Sequence, residues 1–179
     1  VAFISKNLAD NIRPYGLSAL KKHTIPLLAE QGFVGKYPHF RRKKEHCTEL
    51  LSFFTNKWGG SFTIEVSAVF PDSPHPNYSL YEGVTEATFG VEATSYRYRL
   101  PGMFNGWFCY QDIYRKRSLF SGCHFLRTSE KQARDFQPPK GYKLIQKFDE
   151  AAAVKICTEI SKQLTGAYKW LRKFEKTNR

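Results

Sequence analysis

The sequence predicts an α+β fold, an antiparallel sheet of about four to six strands packed by an N-terminal helix and a long C-terminal helix. Three observations predict it. Period-two apolar runs fill the middle of the chain, helical periodicity is confined to its two ends, and nothing alternates as β-α-β. At 179 residues the chain fits a single α+β domain over 1–179, with 1–16 an N-terminal helix or arm and 149–175 the C-terminal helix. With 41% hydrophobic and 16% aromatic residues it can fill a core, and no apolar run approaches the roughly 18 residues of a membrane span.

Taken in order, Leu17, Leu20, Thr24, Leu27 and Leu28 keep helical spacing, with Ser18 as N-cap, Gly32 as stop and Pro26 expected to kink or split the run. Phe40–Lys44 and Leu50–Trp58 read as strands. Gly59-Gly60 marks a turn into Ser61–Phe70, which has the cleanest alternation in the chain. There Phe62, Ile64, Val66, Ala68 and Phe70 share one face, while Thr63, Glu65 and Ser67 are expected to meet solvent on the other. Pro71–Asn77 (PDSPHPN) is a loop.

Thr88–Leu100 reads as a strand bulged at Gly90, and Trp107–Tyr114 as a further aromatic strand beyond turns at Pro101-Gly102 and Asn105-Gly106. Thr128–Phe136 reads as a short helix capped by Thr128, and Tyr142–Phe148 as a strand or extended arm. From Asp149, a good N-cap, the residues Ala153, Ile156, Cys157, Ile160, Leu164, Ala167, Tyr168, Leu171 and Phe174 form one apolar stripe. Lys155, Glu159, Lys162, Lys169 and Lys173 lie opposite it.

The formal net charge is +12, and it is unevenly placed. Residues 1–90 carry 10 basic and 8 acidic side chains, whereas residues 91–179 carry 18 and 8. A basic face of this kind attracts nucleic acid, anionic lipid or an acidic protein. The four cysteines form no C-x-x-C pair, and the His46-Cys47 and Cys123-His124 neighbours would point to opposite faces of a strand. No metal site and no cofactor are therefore expected, and the thiols read as buried and reduced.

The helix Leu20-Lys21-Lys22 to Ile25-Pro26-Leu27-Leu28-Ala29-Glu30-Gln31-Gly32-Phe33 is followed by Phe40-Arg41-Arg42, Leu51-Ser52-Phe53-Phe54 and Phe62-Thr63-Ile64-Glu65-Val66. With Leu100-Pro101, Trp107-Phe108 and the helix closing on Trp170-Leu171, this series resembles the bacterial domain-of-unknown-function family four-three-zero-four over about residues 17–175. The resemblance implies a small cytoplasmic α+β protein without catalysis, plausible as an immunity protein that neutralises a cognate toxin by binding it. It transfers no catalytic residue. The basic second half and the PDSPHPN loop are not features of that family.

Motifs for serine hydrolysis, zinc proteolysis, the P-loop and dinucleotide binding are absent. A spatial pair such as Cys123 with His39 stays open as a nucleophile, though no third orienting group is visible. The sequence reading is thus a non-catalytic bacterial binding protein with an acidic partner, a toxin by resemblance. Its contact surface is expected among Arg41, Arg42, Tyr96, Arg97, Arg99, Trp107, Arg115, Lys116 and Arg117, the arginine- and aromatic-rich segments. The alternative is a nucleic-acid-binding module, because Tyr96-Arg97-Tyr98-Arg99 interleaves rings with cations. Any half-buried strand shows the same alternation.

Overall fold

The computed structural model of the chain describes residues 14–56, 60–70, 90–110, 112–118, 122–128 and 139–177. The expected N-terminal arm and the PDSPHPN loop lie outside them, apart from the last residues of the arm, and so does most of the helix expected at Thr128–Phe136.

Helix α1 (Pro14–Ala19) runs into a single π turn, Leu20–Thr24, and then into α2 (Ile25–Glu30). The π turn is where the sequence places a break before Pro26. Proline has no N–H to donate and its ring collides with the carbonyl four residues back, so the helix widens by one residue ahead of it, with Ile25 N–H donating to the Leu20 carbonyl. That extra residue shifts the apolar stripe. Leu20, Thr24 and Leu28 are buried, whereas Leu27, expected beside them, is 38% exposed. Ser18 lies inside α1 and is not its N-cap, because the helix already begins at Pro14. Gly32 stops α2 as expected. At φ +82 it lets its own N–H reach the Ala29 carbonyl and the Phe33 N–H reach Leu28.

Among the described residues the main sheet has six strands, β1 (Val34–Lys36), β2 (His39–Lys43), β3 (Thr48–Thr55), β4 (Ser61–Val69), β5 (Tyr98–Arg99) and β6 (Phe108–Cys109). The order is β1-β2-β3-β4-β5, with β6 also on β4, and every pairing is antiparallel. The β3–β4 hairpin is the one expected around Gly60. Phe62, Ile64, Val66 and Ala68 enter the main core with Phe40, Leu51 and Phe53.

Helix α3 (Glu150–Thr177) covers this face. Its buried stripe is Ala153, Ile156, Cys157, Ile160, Leu164, Ala167 and Leu171. Asp149 caps it, accepting the Ala152 N–H at 2.9 Å. Gly166 faces β5, where a Cβ would make an ordinary 3.4 Å contact with the Tyr98 hydroxyl.

Two expected strands differ. Of the described residues of Thr88–Leu100, Tyr98–Arg99 pairs with β4 as a strand. Upstream, the Thr94 backbone and hydroxyl both bond back to the Val91 carbonyl, curling Val91–Ala93 into a 3-10 turn. The strand expected at Trp107–Tyr114 divides. Phe108–Cys109 stays on β4, while Tyr110 turns into the core and its N–H bonds to Gly60.

The chain then enters a second, three-stranded antiparallel sheet in the order β8-β7-β9, made of β7 (Asp112–Ser118), β8 (Gly122–Thr128) and β9 (Lys143–Gln146). Thr128 is the last residue of β8, and the rest of the segment expected as a helix lies outside the described residues. Asp112 ties this sheet to the start of α3 by accepting the Phe148 N–H at 2.8 Å.

Candidate partner-binding surface

The nine candidate residues fall in four places. Arg41 and Arg42 are neighbours on β2 and so point to opposite faces of the main sheet. Arg42 faces α3. Its Nε donates to Glu49, its Nη1 donates to the Gln31 carbonyl at 2.6 Å, and its guanidinium lies 4.5 Å from the Phe33 ring centroid and 5.3 Å from that of Tyr168. Glu49 is 1% exposed, so a cation is needed to hold its charge there. Arg42 is therefore committed to the fold and offers little to a partner. Arg41, half-buried, lies on the other face, opposite Leu50.

That other face holds the clearest departure from the sequence reading. Glu65, expected at the solvent, is 4% exposed. Arg99 Nη2 reaches its Oε1 at 2.6 Å, and Arg97 Nη1 reaches its Oε2 at 3.3 Å. Beside it in the β3–β4 ladder stands Ser52, whose hydroxyl is 2.9 Å from His39 Nδ1. Thr63 and Ser67 on the same face are buried too, and Ser67 donates to the Tyr96 carbonyl at 2.6 Å. Alternation does mark a change of face, but here both faces are covered. Arg97 and Arg99 remain about half exposed while holding Glu65, so they can meet a partner only by sharing that role.

Tyr96 and Tyr98 diverge. Tyr98 turns inward and stacks on Trp170 at 5.8 Å, with Phe174 beyond at 4.9 Å from Trp170. Tyr96 is 67% exposed, with its ring 5.9 Å from Phe174. Trp107 is half-buried in the tight loop 101–107, which is closed by the Gly106 N–H on the Pro101 carbonyl.

The last group lies on the small sheet. Lys116 and Arg117 of β7 are exposed, and so are Lys140, Lys143 and Lys147 around β9. Lys116 holds its ammonium 5.9 Å from the Tyr142 ring centroid and lays its stem against Gly141. The backbone of Arg115 pairs with Phe125 and Lys143. Leu144 and Ile145, both exposed, lie between Lys143 and Lys147 in the chain. Arg42, Arg97 and Arg99 are engaged by buried carboxylates, whereas Lys116, Arg117, Lys140, Lys143 and Lys147 are exposed. The residues of β9 were missed in the sequence reading because Lys140, Lys143 and Lys147 are spread thinly there. The β7–β9 pairing, with Lys143 opposite Arg115, brings this segment beside β7.

Residues 24–80 match the family model described as Domain of unknown function (DUF4304). The resemblance holds over that segment. The DUF4304 match runs from the π turn through β4 and so takes in Arg41, Arg42, Glu49 and Glu65. Tyr96, Arg97, Arg99, Trp107, Arg115, Lys116 and Arg117, and with them the whole small sheet, lie beyond it. No curated protein and no solved structure matches the chain.

Among the described residues no group of three or more His, Cys, Asp or Glu could hold a metal ion, and no helix is long and apolar enough to cross a membrane. Cys47, Cys109 and Cys157 are buried free thiols. Burial pushes the Cys157 thiol up in pKa, away from the reactive thiolate.

Proposed function

We propose that the chain is a non-catalytic bacterial binding protein of the immunity type, acting in the cytoplasm, which neutralises a cognate toxin by occluding it. The basic small sheet carries this reading. Lys116, Arg117, Lys140, Lys143 and Lys147 are exposed on and around the small sheet, and so are Leu144 and Ile145, and cations with apolar side chains of this kind suit an acidic protein partner. Within the DUF4304 segment the buried Arg42–Glu49 pair braces the main sheet against α2 and α3.

The test is co-expression with the product of the neighbouring gene, followed by calorimetry and a cell-protection assay. Binding at or below micromolar concentration, together with protection, supports the reading. Absence of both removes it. Binding to labelled RNA or DNA that falls steeply between low and moderate salt would put the nucleic-acid module in its place.

A further inference from the structure

We propose that the outer face of α3 is a docking ridge for an anionic phospholipid bilayer, on which the chain lies as a peripheral protein. The ridge shares no residue with the small sheet, so the proposal is independent of the toxin-binding reading.

The buried stripe of α3 packs on the sheet, and the residues opposite it meet water. Lys155, Lys162, Lys169 and Lys176 recur there at every seventh position, with Arg172 and Lys173 in the last interval, and all six side chains are exposed. At about 100° of rotation per residue, the six fall within an arc of about 100°. From Lys155 to Lys176 the row runs about 32 Å along the helix, and four of its cations are gathered between Lys169 and Lys176. Among the described residues one of the six has a carboxylate at ion-pair distance, Lys162, which stands 3.9 Å from Glu159. The rest of the row keeps its charge for a partner.

The chemistry of the arc selects the partner. Five of its six cations are lysines, compact and strongly hydrated charges that suit a diffuse anionic surface, whereas arginine forks suit individual phosphates. The arc holds no aromatic ring on which a base could stack, so it lacks what single-stranded nucleic acid requires. Among the described residues Val154 is the one large apolar side chain exposed on this helix, and a protein interface needs a larger apolar centre. A straight, convex row of this length rests on a plane with every cation near it. Four to eight Lys or Arg on one amphipathic helix is the number that holds a chain on anionic lipid. Because the apolar stripe is already used by the core, the helix lies on the headgroups and does not enter the acyl chains.

The experiment is co-sedimentation of the full chain with vesicles of equal parts phosphatidylethanolamine and phosphatidylglycerol, and with vesicles of phosphatidylcholine. Binding is expected to the first and not to the second, and it should weaken steeply from low to moderate salt. Lys162→Gln with Lys169→Gln, Lys173→Gln and Lys176→Gln should lower the partition by about fivefold for each cation removed, more than about a hundredfold together. Lys116→Gln with Arg117→Gln, Lys140→Gln and Lys143→Gln removes the same charge from the small sheet and should lower it far less. Where the fourfold ridge variant folds poorly, Lys169→Gln with Lys173→Gln alone should show a loss of about twenty-fivefold. Equal binding to the two kinds of vesicle, no binding to the anionic one, or equal losses in the two fourfold variants would each overturn the proposal. Single-stranded RNA bound by the wild type and lost in the ridge variant, with vesicles left unbound, would overturn it as well.

Discussion

Glu65 and Arg99 face one another across the β4–β5 ladder, and Arg99 Nη2 stands 2.6 Å from Glu65 Oε1. The pair is asymmetric in burial, with the carboxylate inside and the guanidinium half in water. Removing the two partners should therefore have unequal consequences. Glu65→Gln releases two arginines that can turn to solvent, and should cost about 1–2 kcal/mol. Arg97→Ala with Arg99→Ala leaves a carboxylate in the sheet without its two cations, and should cost about 3 kcal/mol. Urea unfolding of both variants checks the order. Equal losses would mean that the carboxylate is not desolvated as its burial indicates.

Arg42 tests the same logic on the opposite face. It neutralises Glu49, bonds the end of α2 through the Gln31 carbonyl and lies over Phe33 and Tyr168. Lysine can replace the charge but neither the planar stacking nor the forked donors. Arg42→Ala should cost about 3 kcal/mol and Arg42→Lys about 1–2 kcal/mol. Affinity for a partner should be unchanged in Arg42→Lys, which a binding isotherm on the folded variant would read.

How far the sequence went depends on what covers each strand. Alternation in Ser61–Val69 correctly assigned Phe62, Ile64, Val66 and Ala68 to the core, because the side-chain period is a property of the strand itself. It misplaced Glu65 because the cations that cover that residue arrive from positions 97 and 99, more than thirty residues on, and pairing at that distance leaves no local pattern. Asp149 and the stripe through Leu171 were legible for the opposite reason, since capping and periodicity are both local. Thr88–Leu100 read as one strand since its composition suits one, but the Thr94 hydroxyl bonds back to Val91 and competes with the ladder. The small sheet emerged only as fragments. Lys116 and Lys143 lie far apart in the chain and meet through β7 and β9.

Tyr37 makes stability sensitive to alkali. Burial lifts its pKa from the ordinary 10.0 to about 12. The unfolded chain therefore loses this proton before the folded one does, and stability falls wherever the folded state binds more protons. The contribution is complete below pH 10 and lost as pH rises through about 12. Denaturant midpoints measured at pH 8 and pH 11 should separate for the wild type, and separate less for Tyr37→Phe. An equal separation in the two proteins would show that other groups carry the whole effect.

Gly102 and Gln163 join the 101–107 loop to α3. The Gln163 amide accepts the Gly102 N–H at 2.8 Å and donates to the Gly102 carbonyl at 2.9 Å, an arrangement like a pair of strands made with one side chain. Gly102 has φ +68, and a Cβ there would lie 2.5 Å from the Trp107 backbone nitrogen. Gly102→Ala meets both the left-handed penalty and that collision, and should cost about 2 kcal/mol or more. Gln163→Ala loses two hydrogen bonds to a half-buried peptide, about 1–2 kcal/mol. Fluorescence of Trp107 should shift toward the exposed range in Gly102→Ala, provided the chain folds.

The proposed function turns on the small sheet, and its charges can be changed with little effect on the fold. Lys116 and Arg117 are exposed, and among the described residues neither holds a buried carboxylate as Arg42 and Arg99 do. Lys116→Glu with Arg117→Glu should therefore leave the unfolding midpoint nearly in place, within about 0.5 kcal/mol, since surface changes away from specific contacts are mild. Association with an acidic toxin should slow by about tenfold or more at low salt, and the salt dependence of the rate should flatten, because long-range attraction acts mainly on encounter. Arg41→Glu on the main sheet is the comparison. It alters the net charge in the same sense by half as much, so a slowing of about half the size on a logarithmic scale would trace the effect to the total charge of the chain. A slowing confined to Lys116 and Arg117 would place the contact on β7, whereas an unchanged rate would remove the small sheet from the interface. Stopped-flow measurement at two ionic strengths distinguishes the three.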